Sequence, residues 1–267
     1  MLAIERQEII CDLLRKNKSV MTTELVERFD VSVETIRRDL LVLEQQHRLQ
    51  RVHGGAMCVE EMRHFQELSV RMTENDFQKK ELTQTAAGLV ENGDVIGIDS
   101  GSTAVFFAEA LKERFSKLTI VTHCLDVFEI LHSYKEFEVI LCGGHFLKKE
   151  NAFYGPVVLN ALAQLHVQKV FLFPSAVSLQ FGICDRQIQL FEVQKQLLRC
   201  GDSVYVLADS SKFECRELLK LSDMQNGFTY VTDSGLSEGL AKTYAEHKMN
   251  IITRGAKPSE WEGKSLV

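Results

Sequence analysis

The segment Asp99-Ser100-Gly101-Ser102-Thr103 puts three hydroxyls and a glycine directly ahead of a helical stretch, Ala104 to Arg114. Glycine lets the backbone approach an anion, hydroxyls donate, and a helix N-terminus adds free N–H groups with a favourable dipole, so these residues can form a phosphate cradle. The GK[ST] of a Walker A loop is missing, and a plain capped strand-to-helix turn has the same pattern. Thr122-His123-Cys124, Cys142-Gly143-Gly144 and Ala208-Asp209-Ser210-Ser211-Lys212 end three more β-rich runs, and Phe173-Pro174-Ser175-Ala176 a fourth. Lys212 can neutralise a phosphate, while Asp99, His123 and Asp209 can exchange hydrogen bonds with sugar hydroxyls. Ser175, Ser210, Ser211, Gly143 and Gly144 complete the candidate effector site.

A second chemistry belongs to Arg37-Arg38. Val33, Ile36, Leu40 and Leu43 recur at spacings of three and four, which predicts a helix from about Val33 to Gln46 with that stripe packed inward and Ser32 as its N-cap. At about 100° per residue Arg38 lies roughly opposite the stripe, with Glu34 and Thr35 near it and Arg37 on the flank. Arginine's planar fork holds guanine O6 and N7 or a phosphate in two hydrogen bonds, and threonine reaches base edges or a thymine methyl. Ile9, Ile10, Leu13 and Leu14 give an earlier helix its apolar face; Leu25, Val26 and Phe29 do so for a second, starting at Thr22 or Thr23. Leu49 to Val52 reads as a short strand and His53-Gly54-Gly55 as a flexible turn, placing Arg51 and His53 on a wing. Residues 19 to 56 thus have the layout of a winged helix-turn-helix, a module that enters the DNA major groove. Its DNA-facing candidates are Thr22, Ser32, Glu34, Thr35, Arg37, Arg38, Arg51 and His53.

Stepping along the 267 residues, two domains are expected: the DNA module over 1–58, a charged linker over 59–78, an α/β domain over 79–252 and a tail over 253–267. The strands Val95 to Asp99, Leu118 to Thr122, Phe137 to Leu141, Val170 to Phe173, Ser203 to Ala208, Thr229 to Thr232 and Met249 to Ile252 alternate with helical stretches, which predicts a mostly parallel, Rossmann-like sheet. Ligands of such sheets bind beyond the carboxyl ends of the strands, where the segments above lie. The net charge of −6 is uneven: residues 1–58 hold nine basic and nine acidic side chains, leaving 22 basic against 28 acidic in the rest. A neutral DNA module on an acidic body binds DNA weakly as a single copy, so a homodimer or homotetramer is expected. Seven cysteines with no CxxC pair read as reduced thiols, and no metal or cofactor is expected. Charged residues near the start exclude a secretory leader and no apolar run reaches membrane-spanning length, so a cytoplasmic protein without a membrane partner is expected.

VSVETIRRDLLVLEQQ followed by RLQRVHGGA resembles the amino-terminal signature of the DeoR family of bacterial transcription regulators, with His47 where the family commonly has glycine. Asp99 to Thr103, the GG turn, Gly155-Pro156 and LADSSKF from Leu207 to Phe213 resemble that family's carboxyl-terminal sensor. The resemblance runs from Arg6 to Ile252. It implies a sensor fold similar to ribose-5-phosphate isomerase and the CoA transferases, double-stranded operator DNA as partner and a phosphorylated sugar as effector. His123-Cys124 replaces the family's usual Asn-Ser, and Phe173 should narrow or fill the pocket. The alternative is a sugar-phosphate isomerase or deaminase with an accessory DNA module. Such catalysis needs a positioned base, and the acidic loop those enzymes place after the central strand is missing around Phe173 to Val177.

Overall fold

The computed structural model describes residues 3–17, 19–45, 48–52, 55–57 and 68–253, which belong to two compact units divided between residues 66 and 67. The amino-terminal unit contains α1 (Ala3–Asn17), β1 (Ser19–Met21), α2 (Thr22–Phe29), α3 (Val33–Gln45), β2 (Gln50–Val52) and β3 (Gly55–Met57). Ile10, Leu14, Leu25, Ile36, Leu40 and Leu43 interlock the three helices, and Val20, Leu49 and Ala56 join them to the antiparallel sheet β1-β3-β2. This is a winged helix-turn-helix. Val33 departs from the expected inward stripe: it is 44% exposed at the first turn of α3, while the buried Asp39 takes a place on the inner face. Thr22 is the first helical residue of α2, as expected, and the Glu24 carboxylate accepts the N–H of Met21 ahead of it at 3.3 Å. Gly55, expected in a flexible turn, is instead a strand residue of β3 paired with both Met21 and Val52. A Cβ there would stand 2.1 Å from the Val20 carbonyl oxygen, so close backbone approach is what demands glycine.

The second unit opens with α4 (Leu68–Thr73) and α5 (Asp76–Ala87) and continues through β4 (Val95–Ile98), α6 (Ser102–Arg114), β5 (Lys117–Thr122), α7 (Leu125–Leu131) and β6 (Glu136–Leu141). A hairpin of β7 (His145–Leu147) and β8 (Ala152–Tyr154) leads to α8 (Pro156–Leu162) and β9 (Val167–Leu172). Then come β10 (Ala176–Ser178), β11 (Gly182–Asp185), α9 (Ile188–Cys200), β12 (Gly201–Leu207), β13 (Leu219–Ser222), β14 (Thr229–Val231), α10 (Glu238–Glu246) and β15 (Asn250–Ile252). Seven strands form a parallel sheet in the order β15-β14-β12-β9-β4-β5-β6, and each contains or overlaps one of the seven expected runs. The small antiparallel sheet β10-β11-β13 and the β7–β8 hairpin were not foreseen, since three- and four-residue strands are too short to show a period.

Side chains alternate between two cores along the central strands. Ile96, Ile98 and Phe171 pack with Leu82, Phe107 and Leu111 on one face; Val170, Leu172 and Val206 pack with Val158, Val193 and Leu197 on the other. Helices therefore cover both faces, as a parallel sheet requires. Chain direction across the sheet reverses between the neighbours β4 and β9, which makes the gap beyond their carboxyl ends the topological switch point.

Residues 68–78 are not linker. They form α4 and the start of α5; α4 packs on α6, and the Lys79 ammonium donates to the carbonyls of Arg71 and Glu74. Asn75 adds donors to Asp209 Oδ1 at 3.4 Å and Ser211 Oγ at 3.3 Å. These anchors are polar, so apolar periodicity could not reveal them. The rest of the expected linker, 59–67, and all but the first residue of the expected tail lie outside the described residues, as does His47.

Candidate DNA-binding and effector sites

On α3 the cap is as expected: Thr35 N–H donates to Ser32 Oγ at 3.2 Å, and the two hydroxyls meet at 2.8 Å. Both hydroxyls are thus engaged in starting the helix. Arg37 and Arg38 stand exposed on the outer side, with the Glu34 carboxylate 3.7 Å from the Arg37 guanidinium. Their neighbour Asp39 turns inward and anchors the helix. It accepts from Arg6 Nε at 2.5 Å and Gln7 Nε2 at 2.9 Å, tying α3 to α1. Arg51 belongs to β2, but its side chain, like the whole of His53, lies outside the described residues.

In the second unit, Ser100, Ser102 and Thr103 are buried around Gly101, whose φ of 119° and ψ of 172° suit glycine alone. Gly101 is the N-cap of α6, so the first turn of that helix offers N–H groups without helical partners. Thr103 Oγ1 is buried and makes no hydrogen bond within the protein. A Cβ built on Gly101 would lie 4.0 Å from Arg71 Nη1, which places a guanidinium over the loop. Lys79 lies behind Arg71 and is pushed down to about 8, first by burial, then by the charge of Lys212 and, after an opposing pull from Asp209, by Arg71. Lys212 in turn donates to the Pro174 carbonyl at 2.9 Å, reaching from the end of β12 to the end of β9. Three cations from α4, α5 and the Asp209 loop therefore feel one another near a helix N-terminus at the switch point.

Other expected effector contacts have structural partners. His123 is fully buried; Nδ1–H faces the Phe153 carbonyl at 2.9 Å and Nε2 faces Asp99 Oδ1 at 3.0 Å. The other Asp99 oxygen accepts from Gln194 Nε2 at 3.1 Å and from Phe173 N–H at 3.4 Å. Gln194 also donates to Asp185 at 2.9 Å, and Ser175 Oγ lies 3.1 Å from the same carboxylate. Ser210 gives both its N–H and hydroxyl to Asp233, while Ser211 donates to Asp209, so these hydroxyls shape the loop. Gly144 lacks a side chain for a packing reason, because a Cβ would meet the Tyr154 carbonyl at 2.7 Å; Gly143 faces open space. Phe173 is buried among Phe107 and its neighbours, with ring centroids 6.1 Å apart, and so lies in the core.

A family profile for the DeoR-like helix-turn-helix domain matches residues 6–62, and one for the DeoR C terminal sensor domain matches residues 74–234. The chain belongs to the DeoR family. It is accordingly a DNA-binding transcription regulator, and the curated relatives that it resembles are regulators too. An uncharacterized HTH-type transcriptional regulator, YulB of Bacillus subtilis, is 32% identical over 94% of this chain and 96% of its own. The lactose phosphotransferase system repressor of Streptococcus mutans is 32% identical over 89% and 95%. Ribose 5-phosphate isomerase A from Neisseria gonorrhoeae aligns in structure with a TM-score of 0.41 and 22% identity, covering 54% of this chain and 56% of that one.

Sequence reasoning missed four polar residues of this DeoR-family protein: Arg71, Lys79, Gln194 and Glu150. Glu150 is buried and accepts from Arg71 Nη2 at 2.5 Å and Gln187 Nε2 at 2.8 Å. A basic pair eight residues apart just ahead of a β-rich domain was the available signal for Arg71 and Lys79. Nothing in the local pattern marked Glu150 or Gln194.

Proposed function

We propose that this regulator represses carbohydrate-metabolism genes and is released from its operator by a phosphorylated sugar. The observation that carries the reading is the Arg71 guanidinium over the Gly101 loop at the α6 N-terminus, with Lys79 and Lys212 close enough behind it for their charges to interact. A buried lysine whose ammonium form is disfavoured by burial and by the charges of Lys212 and Arg71, beside free helix N–H groups, is neutralised best by a multivalent anion such as a phosphate. The orphan hydroxyl of Thr103 adds a donor or acceptor at the same place. The similarity to a repressor of a sugar phosphotransferase system supports the sugar class. Arg37 and Arg38, with Glu34 and Thr35 beside them, read the major groove; Arg51 and His53 serve the wing, and Ser32 and Thr22 mark the helix starts. The regulator acts as a homodimer or homotetramer in the cytoplasm. No helix among the described residues is long and apolar enough to cross a membrane.

Sensing rather than catalysis is supported by the state of the groups a reaction would need. Asp99 and Asp209 are committed to the hydrogen bonds above, and burial pushes the thiols of Cys124 and Cys142 up to about 12 and about 11.

The test is a panel of sugar phosphates, each with its unphosphorylated sugar, scored by thermal shift and by release of DNA selected from a random pool. A fitting sugar phosphate raises the melting temperature and releases the DNA, whereas the free sugar does far less. Lys212→Ala and Thr103→Ala keep DNA binding and lose the response. A panel that produces neither shift nor release rejects the sensor half of the proposal.

A further inference from the structure

Arg71 spans two sites. One nitrogen lies over the Gly101 loop and the other donates to Glu150, a 2%-exposed carboxylate in the turn between β7 and β8. Gln187, just ahead of α9, secures the second oxygen of that carboxylate. One buried acid thus holds together α4, the hairpin and the start of α9. Helix α4 is the first described element of the sensor unit, and the chain leading into it comes from the DNA-binding unit. A buried carboxylate on a guanidinium does what a bound phosphate would do there, since both are oxyanions that accept from the arginine fork.

We propose that Glu150 is a built-in counter-ion that competes with the effector's phosphate for Arg71, and that exchanging the two releases α4 from the hairpin. The proposal rests on the sensor reading above and assigns its regulation. With no effector, Glu150 neutralises Arg71 and latches α4 to the body of the domain. A phosphate at the Gly101 loop brings negative charge next to Glu150 and offers the guanidinium a doubly charged partner. The carboxylate then loses its hold, and the element continuous with the DNA-binding unit is freed. Binding and operator release are linked because the latched state has the lower affinity for phosphate and the higher affinity for DNA.

The full-length protein and Glu150→Gln are compared with inorganic phosphate as probe, followed by calorimetry, and with wild-type-selected DNA, followed by fluorescence anisotropy. Glutamine keeps the size and an acceptor but removes the charge. Phosphate affinity should rise about five- to tenfold and operator affinity without ligand should fall by a similar factor, within the usual range of coupling between sites. Gln187→Ala, which loosens the carboxylate without removing it, should move both quantities the same way by less, and covers the case in which Glu150→Gln fails to fold. If the wild type binds phosphate while the variants bind it equally or more weakly, Glu150 merely orients Arg71 and the latch is wrong. If the wild type binds neither inorganic phosphate nor any sugar phosphate, the sensor reading falls and takes the latch with it.

Discussion

Removing the Asp39 carboxylate should unfold the DNA-binding unit while leaving the sensor intact. Asp39 belongs to the same TIRRDL run as the DNA-facing arginines, yet its side chain is 5% exposed and the partner Arg6 only 8%. Asp39→Ala strands a buried guanidinium, and breaking such a pair costs about 3–5 kcal/mol. The lost donor from Gln7 adds about 1 kcal/mol. At 66 residues the whole unit holds about 3–10 kcal/mol of stability, so the loss takes up about two fifths of it or more. Each unit has its own core, and calorimetry should therefore show the amino-terminal transition falling by at least about 15 °C while the other stays in place. Replacing both partners with apolar residues, Arg6→Met with Asp39→Leu, should restore most of the melting temperature and operator binding, because neither side chain touches DNA in this account. A drop of less than about 3 °C in the single variant would refute the buried pair. A folded double variant that no longer binds DNA would refute its purely structural role.

Gly55→Ala should also destabilise the winged unit, by about 1–3 kcal/mol, because the new methyl meets the Val20 backbone and both strands must part; the lower calorimetric transition reports it. Arg38→Ala should weaken operator binding by about 1–3 kcal/mol with no change in melting, and an unaltered affinity in both Arg37→Ala and Arg38→Ala would remove α3 from the groove. Lys79, held near 8 against an ordinary 10.5, binds fewer protons folded than unfolded between those values. Its burial therefore costs stability below pH 8, and the cost disappears as pH rises to 10.5. An anion favours the ammonium form, so phosphate binding should take up a proton and weaken as pH rises through 8. Calorimetry in buffers of different ionisation enthalpy measures that uptake, and Lys79→Gln should abolish it.

The seven parallel strands were legible as short β-branched runs, and the recognition helix as Ile36, Leu40 and Leu43 behind a serine cap, because burial on a regular element imposes a period that survives in the linear chain. The loops able to carry ligand chemistry followed, since the carboxyl ends of parallel strands all lie on one edge. Those local patterns determined the fold class and the DNA-binding module, and marked where an effector would sit. Tertiary structure alone decided which polar groups meet. Arg6 finds Asp39 across 33 residues, Arg71 finds Glu150 across 79, and Asn75 finds Asp209 across 134. The same pairing decided that His123, Ser210 and Ser211 hold the scaffold, while Arg71, expected in a linker, joins Lys79 and Lys212 in the cation cluster. Hydrophobic burial averages over a whole face and writes itself into spacing; a hydrogen bond or ion pair depends on a single distance and angle set by the packed chain, and leaves no period to read.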